Sequence, residues 1–323
     1  MQWVLIILGI VLVIVIAGRL YTVRLVKRTY ITHPPVGKFV DIGTSKVHYI
    51  EKGTGIPVVM IHGSDGTLFS FRRSIFDLAS TEFRAIAVDR PGHGYSNTAD
   101  GRPLTISYNA ESIREAVNRL GIKRPILVGY SYGGAAALKW ATDHPDEIAG
   151  LVLISPAAYP EPHYLSVFAY LAGVPILGPL LVNTMFVPIA RPQVRIWARR
   201  AFRPDPLPPD VLDSVLAFSL RPKQFAAFAE EMRHFPRDLA SQSSGYSRIK
   251  MPVAILAGEG DILLNPALQA VRLQTVLPQA TIKVFPRTGH EVHYKYRAEA
   301  LSAIREVAAR AAKKGNSQSK EIS

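Results

Sequence analysis

Pro125-Ile126-Leu127-Val128-Gly129-Tyr130-Ser131-Tyr132-Gly133-Gly134-Ala135-Ala136-Ala137-Leu138-Lys139-Trp140 is the stretch whose reading decides the fold. An apolar run of strand character leads into Gly-x-Ser-x-Gly, and an alanine-rich helical run follows. A serine in that pattern, between a strand and a helix, is a nucleophile-elbow arrangement. The turn is so tight that the residues two before and two after the serine must be nearly free of side chain, which Gly129 and Gly133 satisfy. The helix start behind Ser131 aims backbone N–H groups and the positive end of a dipole at developing negative charge.

Serine is a weak nucleophile until a base takes its proton and a third group orients that base. With this kind of elbow the chain order is serine, acid, histidine. Asp261, in Gly258-Glu259-Gly260-Asp261, follows the apolar run Val253–Ala257. His290, in Arg287-Thr288-Gly289-His290, follows Ile282–Phe285. Both lie just past strand ends, so loops can carry them to Ser131. Glu259 is a rival acid, but it sits closer to its strand end and has less reach. His293 is a rival base that falls on the following segment. His144 precedes a proline at a helix end, where a cap or surface role fits. Asp89, in Asp89-Arg90-Pro91-Gly92-His93-Gly94-Tyr95-Ser96, reads as part of a turn network. An oxyanion needs at least two preorganised donors. The N–H of Tyr132, after the nucleophile, supplies one. The second comes from His62-Gly63-Ser64-Asp65-Gly66, with Ser64 N–H favoured and Asp65 N–H as the alternative.

Outward from the elbow, strand-like runs recur at Val47–Glu51, Val58–His62, Ala85–Asp89, Ile126–Gly129, Leu151–Ser155, Val253–Ala257 and Ile282–Phe285. Several are aliphatic throughout, as suits strands buried on both faces of a mostly parallel sheet. Helical segments at Ser107–Leu120, Gly133–His144, Leu268–Leu277 and Arg297–Lys313 fall between or after them. The alternation predicts a doubly wound α/β domain. It stops between 156 and 247, a proline-rich helical stretch placed to cap the sheet's C-terminal edge, where such folds bind ligands. Tyr164–Ala190 carries no formal charge and is interrupted by Pro175, Pro179 and Pro188. That excludes a second straight membrane helix and suits the apolar lining of a substrate pocket. Arg191, Arg195 and Arg199 have i, i+4 spacing and share one helix face. Beside an apolar segment they allow a second reading, a lid resting on anionic lipid.

Trp3–Ala17 is free of charge, and with Gly18 to Tyr21 it reaches the length a bilayer core requires. Only Met1 and Gln2 precede it, so the basic n-region of a signal peptide is missing, although Val15-Ile16-Ala17 resembles a cleavage site. The expected reading is a retained anchor. Arg19, Arg24, Lys27 and Arg28 all follow the span, and the positive-inside rule places the catalytic domain in the cytoplasm, with the exported side as the alternative. The formal net charge of +13 accords with an anionic membrane surface. No nucleic-acid-binding motif is evident. There are no cysteines, which excludes disulfides and thiolate chemistry. The expected division is an anchor with basic flank at 1–28, a linker at 29–38, a catalytic core at 39–155 and 248–312, the cap at 156–247, and a disordered tail at 313–323.

These motifs, in this order, resemble the α/β-hydrolase superfamily over roughly Gly37 to Ala311, with the cap unmatched in detail. The matching pieces are His62-Gly63-Ser64, Asp89 to Ser96, Gly129 to Gly133, Asp261 and Gly289-His290. The resemblance implies a serine hydrolase of apolar carboxylic esters with Ser131, His290 and Asp261 as its triad, and it implies no cofactor or metal. Carbon–carbon bond hydrolysis by the same residues is the alternative, and a non-catalytic, membrane-tethered binding member is a third. Dehalogenases and epoxide hydrolases of this fold carry aspartate at the elbow, and Ser131 argues against both.

Overall fold

The computed structural model describes residues 1–43, 45–99, 101–161 and 167–321. Eight strands form one sheet: β1 (Lys38–Asp41), β2 (Lys46–Lys52), β3 (Pro57–Ile61), β4 (Arg84–Val88), β5 (Ile126–Tyr130), β6 (Gly150–Ile154), β7 (Val253–Gly258) and β8 (Ala280–Phe285). Their spatial order is β1-β2-β4-β3-β5-β6-β7-β8. β1 and β2 pair antiparallel, as do β2 and β4, and every other pairing is parallel. The order reverses at β3, so the C-terminal ends of β3 and β5 open a crevice at the centre of the sheet.

The helices, in chain order, begin with the long α1 (Gln2–Thr32) and the single turns α2 (Phe69–Arg72) and α3 (Phe76–Ala79). α4 (Ile106–Arg119) and α5 (Tyr132–Asp143) follow. The cap holds α6 (Val167–Ala172), α7 (Leu177–Thr184), α8 (Phe186–Phe202), α9 (Pro209–Ser219) and α10 (Pro222–Ser243). α11 (Arg272–Val276), α12 (Val292–Lys295) and α13 (Arg297–Glu321) complete the chain. The strands bury both faces, as their uninterrupted apolar runs require. Val59 and Ile61 of β3 join one core with residues of α4 and α5. Val58 and Met60 of the same strand join a second core with residues of α3 and α13.

The mostly parallel doubly wound sheet and its helical insertion are as expected. Three local expectations are corrected. β1 has no counterpart among the expected strands; it is a short edge strand, exposed at three of its four positions, and carries too little hydrophobic pattern to read. The expected linker at 29–38 starts late, because α1 stays helical through Thr32, with the Thr29 hydroxyl donating to Ala217 O at 2.9 Å. The tail expected to be disordered from 313 is helical as far as Glu321. Ala311 to Lys314 are strong helix formers with no proline after them, so an established helix propagates through Gly315.

The cap breaks at the expected place, although not always at the expected residue. The chain leaves helix between α6 and α7 around Pro175 and again at Met185. Pro179 and Pro188 instead sit in the first turns of α7 and α8, where a missing N–H costs nothing. Residues 164–166, the start of the charge-free segment, lie outside the described residues. The C-terminal half of α1 packs against α7, α8 and α9. Gly18 permits the closest approach, since a Cβ there would run into the Thr184 carbonyl. α1 and the cap are therefore joined, whereas the sequence suggests that a linker separates the N-terminal helix from the core.

Candidate active site

β5 ends at Tyr130 and α5 begins at Tyr132, leaving Ser131 alone in the turn at φ +54°, ψ −119°. A non-glycine residue there is strained, and such strain concentrates at functional positions. The neighbouring glycines are required by space. A Cβ on Gly129 would lie 2.7 Å from Gly133 O, and one on Gly133 would run into the Ile61 carbonyl. Ser131 N–H donates to Ile154 O at 3.0 Å, pinning the turn to β6. Tyr132 N–H occupies a helix's first turn, where the backbone offers no intrahelical acceptor.

Past the end of β7, Asp261 uses both carboxylate oxygens. Oδ1 accepts the N–H groups of Leu263 and Leu264 at 2.9 and 3.0 Å. Oδ2 lies 2.6 Å from His290 Nδ1. Such an arrangement favours the proton on Nδ1 and leaves Nε2 as the unprotonated nitrogen. The His290 ring lies against Tyr130 in a tilted contact, with ring centroids 5.1 Å apart, so the imidazole is next to the elbow. Its carbonyl accepts the Ser155 hydroxyl at 2.9 Å, and its N–H donates to Ala201 O at 3.0 Å. Burial depresses the His290 pKa, but the charge of Asp261 and its hydrogen bond outweigh burial and leave it raised above 6.5.

The rivals are placed elsewhere. Glu259 is exposed, and its carboxylate accepts Arg287 N–H at 3.3 Å. His293 is buried against Tyr130, with Nε2 3.1 Å from Ser70 Oγ, and burial above all lowers its pKa to about 3. It is a neutral structural imidazole. His144 lies at the end of α5 near Glu111 and Glu147, as a surface role requires. Asp89 is the hub of a turn, accepting from Leu68 N–H and Tyr95 N–H and contacting His48 Nδ1 at 2.7 Å.

The loop after β3 lies hard against the elbow. A Cβ on Gly63 would stand 3.0 Å from Ser131 Cβ. Ser64 is half-buried, with Oγ 3.9 Å from Met232 Sδ of α10, and Asp65 follows at φ +52°. What the sequence does not reveal is how this loop is held. His62 Nδ1 bonds Gly63 O at 2.8 Å, and Arg90 N–H donates to His62 Nε2 at 2.9 Å. Burial, assisted by Arg90, lowers the His62 pKa to about 3, so the ring stays neutral. The Arg90 guanidinium donates to the carbonyls of His62 and Gly63 at 3.2 and 3.1 Å. It also donates to Asn109 Oδ1 at 2.9 Å and to Glu231 of α10, and it lies over the Tyr132 ring at 4.2 Å. Asp89 to Ser96 signals a turn, but nothing local in the sequence marks Glu231 as the buried partner of Arg90.

α10 roofs the site. Phe235 stacks on the Tyr132 ring, and Gln224 Nε2 donates to Asp65 O at 3.1 Å. Phe235, Leu239 and Leu264 form an apolar cluster with Tyr132, and Met232 packs against it. Ser131 is left only 8 % exposed. Two surface cavities, of about 420 Å³ between α4 and α5 and about 360 Å³ between α1 and the cap, do not reach it. Among the described residues no three His, Asp or Glu side chains converge as a metal site requires.

Comparison with known proteins identifies the family of this fold. The chain is 25 % identical over 273 residues to haloalkane dehalogenase 2 of Mycobacterium bovis, covering 80 % of this chain and 90 % of that protein. It is 26 % identical over 273 residues to 2-hydroxy-6-oxononadienedioate/2-hydroxy-6-oxononatrienedioate hydrolase of Paraburkholderia phymatum, covering 82 % and 93 %. Among solved structures, a membrane phospholipase A described as a bacterial virulence factor superposes with a TM-score of 0.69 at 20 % identity, over 96 % of this chain and 99 % of that one. The model of the alpha/beta hydrolase family matches residues 58–304, from β3 into α13, and so takes in the elbow, both loops that flank it and the whole cap: the chain belongs to the alpha/beta hydrolase family.

Proposed function

We propose that the protein is a membrane-anchored serine hydrolase that cleaves carboxylic esters with apolar acyl groups through an acyl-enzyme. The observation that carries this reading is Ser131 on its strained turn against the Gly63 loop, beside a His290 oriented by Asp261 at 2.6 Å. Ser131 Oγ attacks the ester carbonyl while His290 Nε2 takes its proton. The backbone N–H groups of Ser64 and Tyr132 stabilise the oxyanion. The same imidazole returns the proton to the departing alkoxide, and water then attacks the acyl-enzyme by the reverse route. Aspartate, not serine, occupies the elbow in dehalogenases of this fold, so the likeness to one does not carry its reaction here. Apolar groups in the roof, Met232 and Phe235, favour an apolar acyl chain. The test is hydrolysis of p-nitrophenyl esters from acetate to palmitate, whose optimum chain length sizes the pocket. Turnover of diketones without turnover of any ester would favour carbon–carbon cleavage, to which the Paraburkholderia relative points. Absence of both activities, with Ser131 unlabelled by activated phosphonates, would favour the non-catalytic reading.

The pH profile follows from His290. The base must be neutral, so kcat/KM falls as pH drops through the His290 pKa, which lies above 6.5. Asp261→Asn removes the charge that raises it. The acid limb is expected to move to lower pH, and kcat to fall by about 10⁴-fold because the tautomer is no longer fixed. An unmoved acid limb would show that another group controls it.

Membrane attachment is part of the same proposal. α1 is long and apolar enough to cross a bilayer, and its first half is exposed. The cap beside it also presents apolar side chains, including Ile176, just before α7, at 87 % and Trp197 of α8 at 54 % exposure. Arg195 and Arg199 are exposed on α8. A cap resting in the lipid interface would draw an acyl substrate directly from the membrane. In a Trp3→Phe chain reconstituted in liposomes, the exposed Trp197 is expected to be quenched by brominated lipids, since Trp140 is buried. Quenching no stronger than in lipid-free detergent-matched controls would place the cap in water. The flanking basic residues favour the cytoplasmic face for the catalytic domain.

A further inference from the structure

The cavity of about 360 Å³ at the junction of α1 and the cap is lined by Arg24 and Arg28 of α1, Arg191 of α8 and Asp213 of α9, over a floor that includes Leu25 and Leu216. We propose that it binds the glycerophosphate headgroup of one anionic phospholipid, with the phosphate on the arginines and the glycerol and first acyl carbons on the leucines. The inference rests on reading α1 as a membrane anchor and is independent of the reaction at Ser131.

Depth is the first argument. At about 1.5 Å per residue, Trp3–Tyr21 spans about 28 Å, which matches a bilayer core. Arg24 then lies about 5 Å and Arg28 about 10 Å beyond the core, against a headgroup layer of about 5–8 Å. Helical side chains lean toward the N-terminus, which brings Arg28 back toward that layer. The cavity therefore sits where lipid phosphates are.

Charge is the second. Among the described residues, Arg24 and Arg28 have no ion-pair partner, and Arg191 has a single long contact, to Tyr21 Oη at 3.4 Å. Three guanidiniums facing one carboxylate leave a net positive hollow, and guanidinium forks match phosphate oxygens. His33 also lines the cavity, beside Asp213 and the arginines.

Fixed shape is the third. The walls come from separate elements held in register by Thr29 donating to Ala217 O, by Arg19 donating to Asn183 Oδ1 at 3.1 Å, and by the close contact at Gly18. A lipid bound there would tie the anchor to α8 and α9, the helices leading into the roof of the active site.

The test uses the full-length chain with Ser131→Ala, which prevents turnover of the probe, purified in detergent and titrated with phosphatidylglycerol or phosphatidylcholine under native mass spectrometry. One phosphatidylglycerol is expected to be retained in preference to phosphatidylcholine. Arg24→Gln/Arg28→Gln should weaken retention about 30-fold, from the contribution of each basic residue at an anionic surface. Arg24→Lys/Arg28→Lys should keep most of it, which separates lost charge from lost folding. Equal retention by the Gln variant, or equal retention of the two lipids, would overturn the proposal. So would displacement of the lipid by millimolar inorganic phosphate, which would mark a site for the free ion. Failure of the anchor reading would appear separately, as a full chain that does not float with liposomes.

Discussion

Alanine at position 131 is expected to lower kcat/KM for p-nitrophenyl esters by about 10⁵-fold or more, while Asp261 and His290 keep their hydrogen bond. The size follows from the non-additivity of such sites: in the proposed mechanism the serine, its base and the orienting acid act as a unit, and loss of the nucleophile alone removes most of what the unit supplies. The residual rate would come from the Ser64 and Tyr132 N–H groups and from binding. Stability is the control that makes this loss interpretable. Serine and alanine bear the same penalty at φ +54°, so Ser131→Ala should melt within a few degrees of the natural chain. Ser131→Gly should be equally inactive but more stable, by about 1 kcal/mol, because only glycine is at ease there. Ester activity persisting in both variants would remove Ser131 from the mechanism. Inactivity with unchanged phosphonate labelling would place the reactive serine elsewhere.

The parts of the site that could be read from sequence are those fixed by local geometry. Gly129 and Gly133 flank Ser131 because a tight turn admits no Cβ, so their spacing carries the elbow into the primary structure. Asp261 and His290 follow apolar runs that must be strands, so their position at the sheet's C-terminal edge can be inferred. Interactions between distant elements leave no such trace. Arg90 and Glu231 stand 141 residues apart, and each alone looks like an ordinary surface charge. The packing of α1 on the cap is equally silent, because a charge-free helix with basic residues behind it reads the same whether or not Gly18 and Thr29 touch a neighbour. β1 and the helical extension of α13 show the opposite limit, where pattern is too short or composition too polar for burial to leave a period.

Glu231→Ala is expected to be the most destabilising single change in the buried network, at about 3–5 kcal/mol, which corresponds to a fall in Tm of about 4–7 °C. Both members of the Arg90–Glu231 pair are fully buried. Removing the carboxylate strands a guanidinium that cannot lose its charge, and it also deprives Asn109 Nδ2 of an acceptor at 3.0 Å. Catalysis should suffer beyond the loss of folded protein. Arg90 holds the His62 and Gly63 carbonyls, so a displaced guanidinium frees the loop that presents Ser64 N–H. The expected signature below the melting range is a fall in kcat of about 10-fold or more with a smaller change in KM, since an oxyanion donor acts in the transition state. Glu231→Gln retains an acceptor without the charge and should lie between the two. Replacing the pair by apolar groups, as in Arg90→Met/Glu231→Leu, should recover much of the lost stability because no unpaired charge remains. It should not recover kcat, because methionine cannot donate to the loop carbonyls. A double variant that recovers both would show that the pair fastens the cap to the core and has no hold on the oxyanion loop.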